Sequence, residues 1–261
     1  MRSRAWRWVG ACSVGTSHIE AKRGCDDNAA CVELQAAGGP LLVAVVSDGA
    51  GSADFGGVGS RLVVSGFTRS ASKYLSEGGT IGAISDETVR EWIDAVRDRI
   101  FIAAEQKSAS PRDFAATLVG VLAGLQRVVV CHIGDGACVV RERGALEWIV
   151  PSWPAHGEYA SSTNFVTDDP EAQLRVVRLD GSYRDIAIFS DGIERMVLDF
   201  KAKTAFARFF DRMFAPLKGV HPGRDRLLSR QLRDYLSSKP VNDRTDDDKT
   251  LVMARMIEAP P

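Results

Sequence analysis

Short apolar runs bounded by Gly, Pro or Asp open the chain. Residues 5–14, 29–35 and 41–47 carry Val, Trp, Leu and Ala in lengths that suit strands. The period then changes. In 57–74, and again from Asp86 to about Lys107, apolar positions recur at helical spacing. Val89, Trp92, Ile93, Val96, Ile100 and Ala103 form one stripe, with Asp86 placed to cap its N-terminus. Strands resume at 118–125, 128–133 and 137–140, and the tight Gly134-Asp135-Gly136 turn predicts a hairpin between the last two. Strands at 174–179, 185–189 and 251–256 and helices at 192–199, 203–214 and 223–237 complete the pattern. Phe206, Phe209, Phe210 and Met213 give one of these helices its apolar face.

Residues 151–173 stand apart. They are rich in Pro, Ser, Thr, Asn, Asp and His with weak periodicity, as expected of a flap. The order of elements breaks the strict strand–helix alternation of a parallel doubly wound sheet and predicts an α+β fold with antiparallel sheets and outer helices. The 261 residues contain no internal repeat or linker, so residues 1–261 are read as one domain.

Composition narrows the chemistry. Thirty-three Lys plus Arg against 34 Asp plus Glu leave a formal charge of -1, which provides no field to gather a polyanion, so nucleic acid is not an expected partner. Apolar runs stay strand-length, and the start, with Arg2, Arg4 and Arg7, lacks the apolar stretch of a signal peptide. No membrane association and a cytoplasmic location are the expectations. Cys12, Cys25, Cys31, Cys131 and Cys138 are odd in number and show neither CxxC nor zinc-ligand spacing, so they are read as buried thiols in a reducing compartment.

The carboxylates carry the functional signal. Val43-Ala44-Val45-Val46-Ser47 runs into Asp48-Gly49, and Ile186-Ala187-Ile188-Phe189-Ser190 runs into Asp191-Gly192. An Asp at the end of a buried strand is costly unless it is paired or metal-bound. The glycine that follows lets the backbone turn and offer its carbonyl to the same point. Asp26-Asp27, Asp135 and the run Asp246-Asp247-Asp248 also fall at strand ends. Convergence of these ends would give an all-oxygen site suited to Mg²⁺ or Mn²⁺. Two such ions roughly 3.5–4 Å apart orient a bridging water for in-line attack on phosphorus, which is phosphoester hydrolysis without a covalent intermediate.

These residues resemble the metal-dependent PP2C-like protein Ser/Thr phosphatases, in particular a bacterial branch. The similarity runs in order over nearly the whole chain. It includes Gly15-Thr16-Ser17-His18 with Gly24-Cys25-Asp26-Asp27, Val46 to Ala53 around Asp48-Gly49, and Asp113-Phe114-Ala115-Ala116-Thr117-Leu118. Ile133-Gly134-Asp135-Gly136, Gly157-Glu158-Tyr159-Ala160, Phe189-Ser190-Asp191-Gly192 and Asp247-Asp248-Lys249-Thr250 follow. The resemblance implies a central β-sandwich of two antiparallel sheets flanked by helices on both sides. It implies that Asp48 bridges two metals with the Gly49 carbonyl on one, and that Asp191 and Asp247 hold the other. Asp27, with Asp26 beside it, would support the Gly49 side, and Asp135 with Asp191 would take a weaker third ion. A phosphoprotein substrate and a cognate Ser/Thr kinase are the implied partners.

Two departures stand out. Many relatives have a histidine two residues after the bridging Asp as proton donor, where this chain has Ala50; His18 is the candidate substitute. Lys22 and Arg23 straddle the place of the phosphate-binding arginine. A pseudophosphatase that binds phosphoproteins or a kinase without turnover is the alternative reading. The dehalogenase-type match Asp246-x-Asp248-x-Thr250 is rejected, because that nucleophile follows a buried strand and 240–245 is not one.

Overall fold

The computed structural model describes residues 4–36, 38–155, 163–219 and 221–258. Among them the strands are β1 (Arg4–Ser13), β2 (Asn28–Ala36), β3 (Gly39–Ser47), β4 (Leu118–Ala123), β5 (Arg127–Ile133), β6 (Ala137–Glu142) and β7 (Ile149–Ser152). They continue as β8 (Arg175–Asp180), β9 (Tyr183–Phe189), β10 (Leu198–Asp199), β11 (Thr204–Ala205), β12 (Gly223–Arg224) and β13 (Lys249–Glu258). The helices are α1 (Thr16–Glu20), α2 (Gly56–Ser76), α3 (Asp86–Gln106), α4 (Glu194–Val197), α5 (Ala207–Phe214), α6 (Arg226–Leu236) and α7 (Lys239–Asn242).

Two sheets, ordered β2-β3-β4-β5-β8 and β12-β1-β13-β9-β6-β7, pack face to face. All their pairings are antiparallel except β1 with the two-residue β12. Strand β3 shows why the central runs are apolar throughout. Leu42, Ala44 and Val46 enter the core between the sheets, while Val43 and Val45 pack on the outer side with α2 and α3. In β9, Ile186 and Ile188 face inward and Ala187 and Phe189 join the core shared with α5 and α6. Each sheet thus has a covered outer face, giving four layers.

Three local expectations are corrected. The Gly134-Asp135-Gly136 turn is not a hairpin: β5 pairs with β4 and β8 in one sheet, β6 with β7 and β9 in the other, so the turn crosses between sheets. Gly134 takes φ +103° there, and a side chain at Gly136 would meet the Phe189 carbonyl at 2.8 Å. Ser85, not Asp86, caps α3, because its hydroxyl accepts from the Thr88 N–H at 3.0 Å. The helix expected over 192–199 stops at Val197, and its neighbour begins only at Ala207. Asp199 Oδ1 accepts from the N–H groups of Lys201 and Ala202, a turn that folds β10 back on β11. Residues 16–20 and 149–152, a helix and a strand, lay outside the sequence expectation.

Candidate metal centre

Each acidic residue is fixed beside a strand end. Asp48 follows β3 and is clamped by Thr117: its N–H donates to Thr117 Oγ1 at 3.0 Å and its carbonyl accepts from the Thr117 N–H at 2.8 Å. Asp191 follows β9, where Ser190 pairs with Thr250 at the start of β13. Asp27, just before β2, accepts from Ser190 Oγ at 2.7 Å through Oδ2. Asp135 leads from one sheet to the other and accepts from Thr163 Oγ1 at 2.5 Å. Asp247 precedes β13 and accepts the Asp248 N–H at 2.7 Å.

Carboxylate oxygens of Asp48, Asp135 and Asp191 lie within 4.8 Å of one another. Asp27 adjoins Asp48, and Asp247 is near enough to both Asp48 and Asp191 to repel them. Burial, then the charges of Asp27 and Asp191, holds the Asp48 carboxyl well above the usual carboxylate range. Burial, with Asp135 and Asp247 beside it, pushes Asp191 up to about 8. Burial raises Asp27 to about 6, offset in part by its contacts with Asp48 and Ser190. Asp247 is raised by burial as well.

Oδ1 of Asp27, Asp135 and Asp191 is buried and accepts no hydrogen bond among the described residues. Buried, mutually repelling acceptors with open lone pairs are a poor arrangement for a bare protein and a good one for a hard divalent cation. The group offers carboxylate oxygens, and burial and the charge of Asp27 push the nearby Cys25 thiol up. The residues therefore fit Mg²⁺ or Mn²⁺.

The remaining expected residues lie around this group. Gly49 bridges to Ala116, and a side chain there would strike the backbone of Gly56, so glycine is required. The Asp26 carboxylate turns outward to Arg23 at 2.6 Å, while its N–H donates to Asp248 Oδ2 at 2.5 Å. Arg23 also reaches the Gly51 carbonyl at 3.0 Å, which sets its guanidinium beside the loop after Asp48. Lys22 is exposed, at φ +56°. His18 is outside the cluster: its Nδ1 lies 3.2 Å from the Gly24 carbonyl and 3.1 Å from Asp248 Oδ2. Ala50 packs with Ala53, Ala115 and Phe165 in a small apolar patch. The Gly157–Ala160 motif and part of the 151–173 flap fall outside the described residues.

Sequence reasoning missed Asp248, Ser190, Thr163 and Glu194. Asp248 is buried and ties Gly15, at 2.6 Å, to Asp26 and His18. Its sequence traces are the Asp246-Asp247-Asp248 run and the Asp247-Asp248-Lys249-Thr250 motif, neither of which gave it this role. Glu194, three residues past Asp191 on a helical turn, is pushed up to about 7 by burial and the charge of Asp135.

Known proteins are similar throughout. The family profile described as protein phosphatase 2C matches residues 14–237. The chain is 38% identical over 262 residues to serine/threonine-protein phosphatase 3 of Escherichia coli strain K12, covering 97% of this chain and 100% of that one. The crystal structure of the serine/threonine phosphatase Stp1 from Staphylococcus aureus superposes with a TM-score of 0.62 at 16% identity, over 98% of this chain and 95% of that one. RsbX, solved in complex with magnesium, superposes with a TM-score of 0.58 at 12% identity, over 98% and 100% of the two chains.

Proposed function

The chain belongs to the protein phosphatase 2C family, and on that premise we propose that it is a metal-dependent serine/threonine protein phosphatase centred on Asp27, Asp48, Asp135, Asp191 and Asp247. The observation that carries the assignment of the site is the convergence of the Asp48, Asp135 and Asp191 oxygens within 4.8 Å, with Oδ1 of Asp135 and of Asp191 open among the described residues.

Asp48 and the Gly49 carbonyl, with Asp27, would hold one Mn²⁺ or Mg²⁺; Asp48, Asp191 and Asp247 would hold a second, and Asp135 with Asp191 a weaker third. Ions bound there supply an activated water for attack on phosphorus and neutralise charge on the phosphoryl oxygens. The protein's own part is to hold five carboxylates against their mutual repulsion, through Thr117, Ser190 and Asp248. Arg23, fixed by Gly51 and Asp26, is the phosphate-binding cation, and exposed Lys22 adds positive charge beside it. Nothing at Ala50 carries a proton to give. We place His18 behind the site, where it orients Asp248 through Nδ1.

The substrate class is phosphoserine and phosphothreonine in proteins, with a cognate Ser/Thr kinase as the source of the phosphate. No helix among the described residues is long and apolar enough to cross a membrane, and we assign the protein to the cytoplasm. Residues 1–261 are taken as one domain, and within the 151–173 segment Thr163 reaches the site through Asp135. Hydrolysis of p-nitrophenyl phosphate and of a phosphoserine peptide with added Mn²⁺, with and without chelator, tests the reading. Turnover that requires the metal is expected; turnover indifferent to chelator overturns it.

A further inference from the structure

At one edge of the sandwich the two sheets do not fill the space between them. Trp8, Gly10 and Cys12 of β1 face Ala29 and Cys31 of β2, and Val252 closes the floor. Gly, Ala and Cys side chains are too small to meet across the roughly 10 Å between packed sheets. A cavity of about 400 Å³ remains, open to solvent. That volume lies within the few-hundred-Å³ range of small-molecule sites.

The mouth of this cleft is positively charged. Arg224 of β12 and Arg233 of α6 line it and are exposed, and each is close enough to a wall thiol, Arg224 to Cys31 and Arg233 to Cys12, to act on it electrostatically. Of the acidic residues adjacent in sequence to the lining, Asp225 pairs with Arg7 at 2.5 Å and caps α6 through the Leu228 N–H. Glu33 accepts the Trp6 N–H at 2.6 Å while its charge opposes that of Arg224 at Cys31, and Asp234 is exposed. The walls are apolar and neutral, since burial raises both thiols.

The inner end of the cleft adjoins the metal centre. Cys12 is paired in register with Thr250, and Thr250 adjoins both the Cys12 thiol and the Asp27 carboxylate. A ligand that displaces Cys12 therefore presses on the residue next to a metal-binding carboxylate.

We propose that this cleft is a second ligand site, taking an amphipathic anion with its head between Arg224 and Arg233 and its apolar body along Gly10, Cys12, Ala29 and Cys31. Its occupancy is transmitted through Cys12 and Thr250 to Asp27, a coupling that rests on the metal-centre reading above.

The test uses 8-anilinonaphthalene-1-sulfonate as a fluorescent probe and decanoate as competitor on the full chain. Saturable one-site binding, displaced by decanoate, is expected. The double variant Arg224→Ala/Arg233→Ala should weaken it at least ~10-fold through loss of the charged head contacts. Cys31→Met, which fills the cleft with a flexible side chain, should weaken it comparably. Calorimetric titration with Mn²⁺ should show the affinity shifted at least ~3-fold by saturating decanoate, within the usual range of coupling between sites. Probe binding that is unchanged in both variants, or an Mn²⁺ affinity that decanoate leaves unaltered, overturns the proposal. A wild type that binds decanoate and no Mn²⁺ at all fails the metal-centre reading instead, so the two failures are distinguishable.

Discussion

Ser190 donates its hydroxyl to Oδ2 of Asp27 at 2.7 Å, and Ser190 Oγ in turn accepts the Thr250 N–H at 3.0 Å. One side chain thus joins the ends of three strands and fixes a carboxylate whose other oxygen is open. Such outer contacts orient a metal ligand without touching the ion. Ser190→Ala is expected to keep the fold and lower Mn²⁺ affinity ~10–100-fold, the usual effect of losing a ligand-orienting hydrogen bond. Calorimetric titration of the metal checks this; an unchanged affinity would show that Asp27 is held by the backbone alone.

Asp48→Asn and Asp191→Asn should each lower the phosphatase rate at least ~100-fold, the order lost when a preorganised charge at a reacting centre is removed. The same substitutions should raise the melting temperature of chelator-treated protein at pH 8. Asp191 is raised to about 8 by burial and by Asp135 and Asp247, so its folded pKa exceeds the unfolded value. A group of that kind stabilises below the unfolded pKa, and the benefit is lost as pH rises through about 8. In metal-free protein at pH 8 the carboxylate is therefore a net liability, and the neutral amide relieves it. Thermal melts with and without Mn²⁺ distinguish this from ordinary damage, which would lower stability in both conditions.

Arg23→Ala should raise KM for a phosphopeptide ~10-fold while changing kcat less, as removal of a contact made equally to substrate and transition state does. Lys22→Ala, at an exposed position, should change KM much less. Steady-state kinetics at fixed Mn²⁺ decides between them, and equal effects would mean that the tether of Arg23 to Gly51 and Asp26 does not place its guanidinium at the phosphate.

What was legible in the chain follows from these contacts. Strands β3 and β9 are buried on both faces, so their unbroken apolar runs stand out, and an acidic residue directly after such a run is visible as an anomaly. The Gly134-Asp135-Gly136 turn was readable as a turn, but periodicity within β5 and β6 says nothing about which sheet each strand joins. That choice is made by Val128 and Val130, which pack inward from one sheet, and by Cys138 and Val140, which face them from the other. Asp248 and Glu194 were not legible because their roles depend on backbone N–H groups and charges brought from distant segments. The capping of α3 by Ser85 rather than Asp86 is a one-residue matter decided by the geometry of a single hydroxyl.

His132 gives the last prediction. It lies at the end of β5, fully buried, with Nδ1 2.7 Å from Ser152 Oγ and 3.0 Å from Arg175 Nη2. Arg175 also donates to the Trp153 carbonyl at 2.7 Å. Ser152 and Trp153 stand where the 151–173 segment begins and Arg175 just past where it ends, so one imidazole ties the two ends together. A guanidinium N–H can only donate, so Nδ1 must be the acceptor and the ring neutral. Burial, and the positive charge of Arg175 beside it, push its pKa down to about 3. A histidine whose folded pKa lies below its unfolded value near 6.5 gives its full stabilisation above that value. The benefit declines as pH falls toward about 3. The wild type should accordingly lose up to about 1.4 kcal/mol of stability per pH unit from this residue across that window. His132→Gln, which retains an acceptor but no titrating ring, should start less stable at pH 7 and lose less on acidification. Denaturant unfolding at a series of pH values with saturating Mn²⁺ measures both slopes; parallel profiles for the two proteins would show that the ring is not held neutral by Arg175.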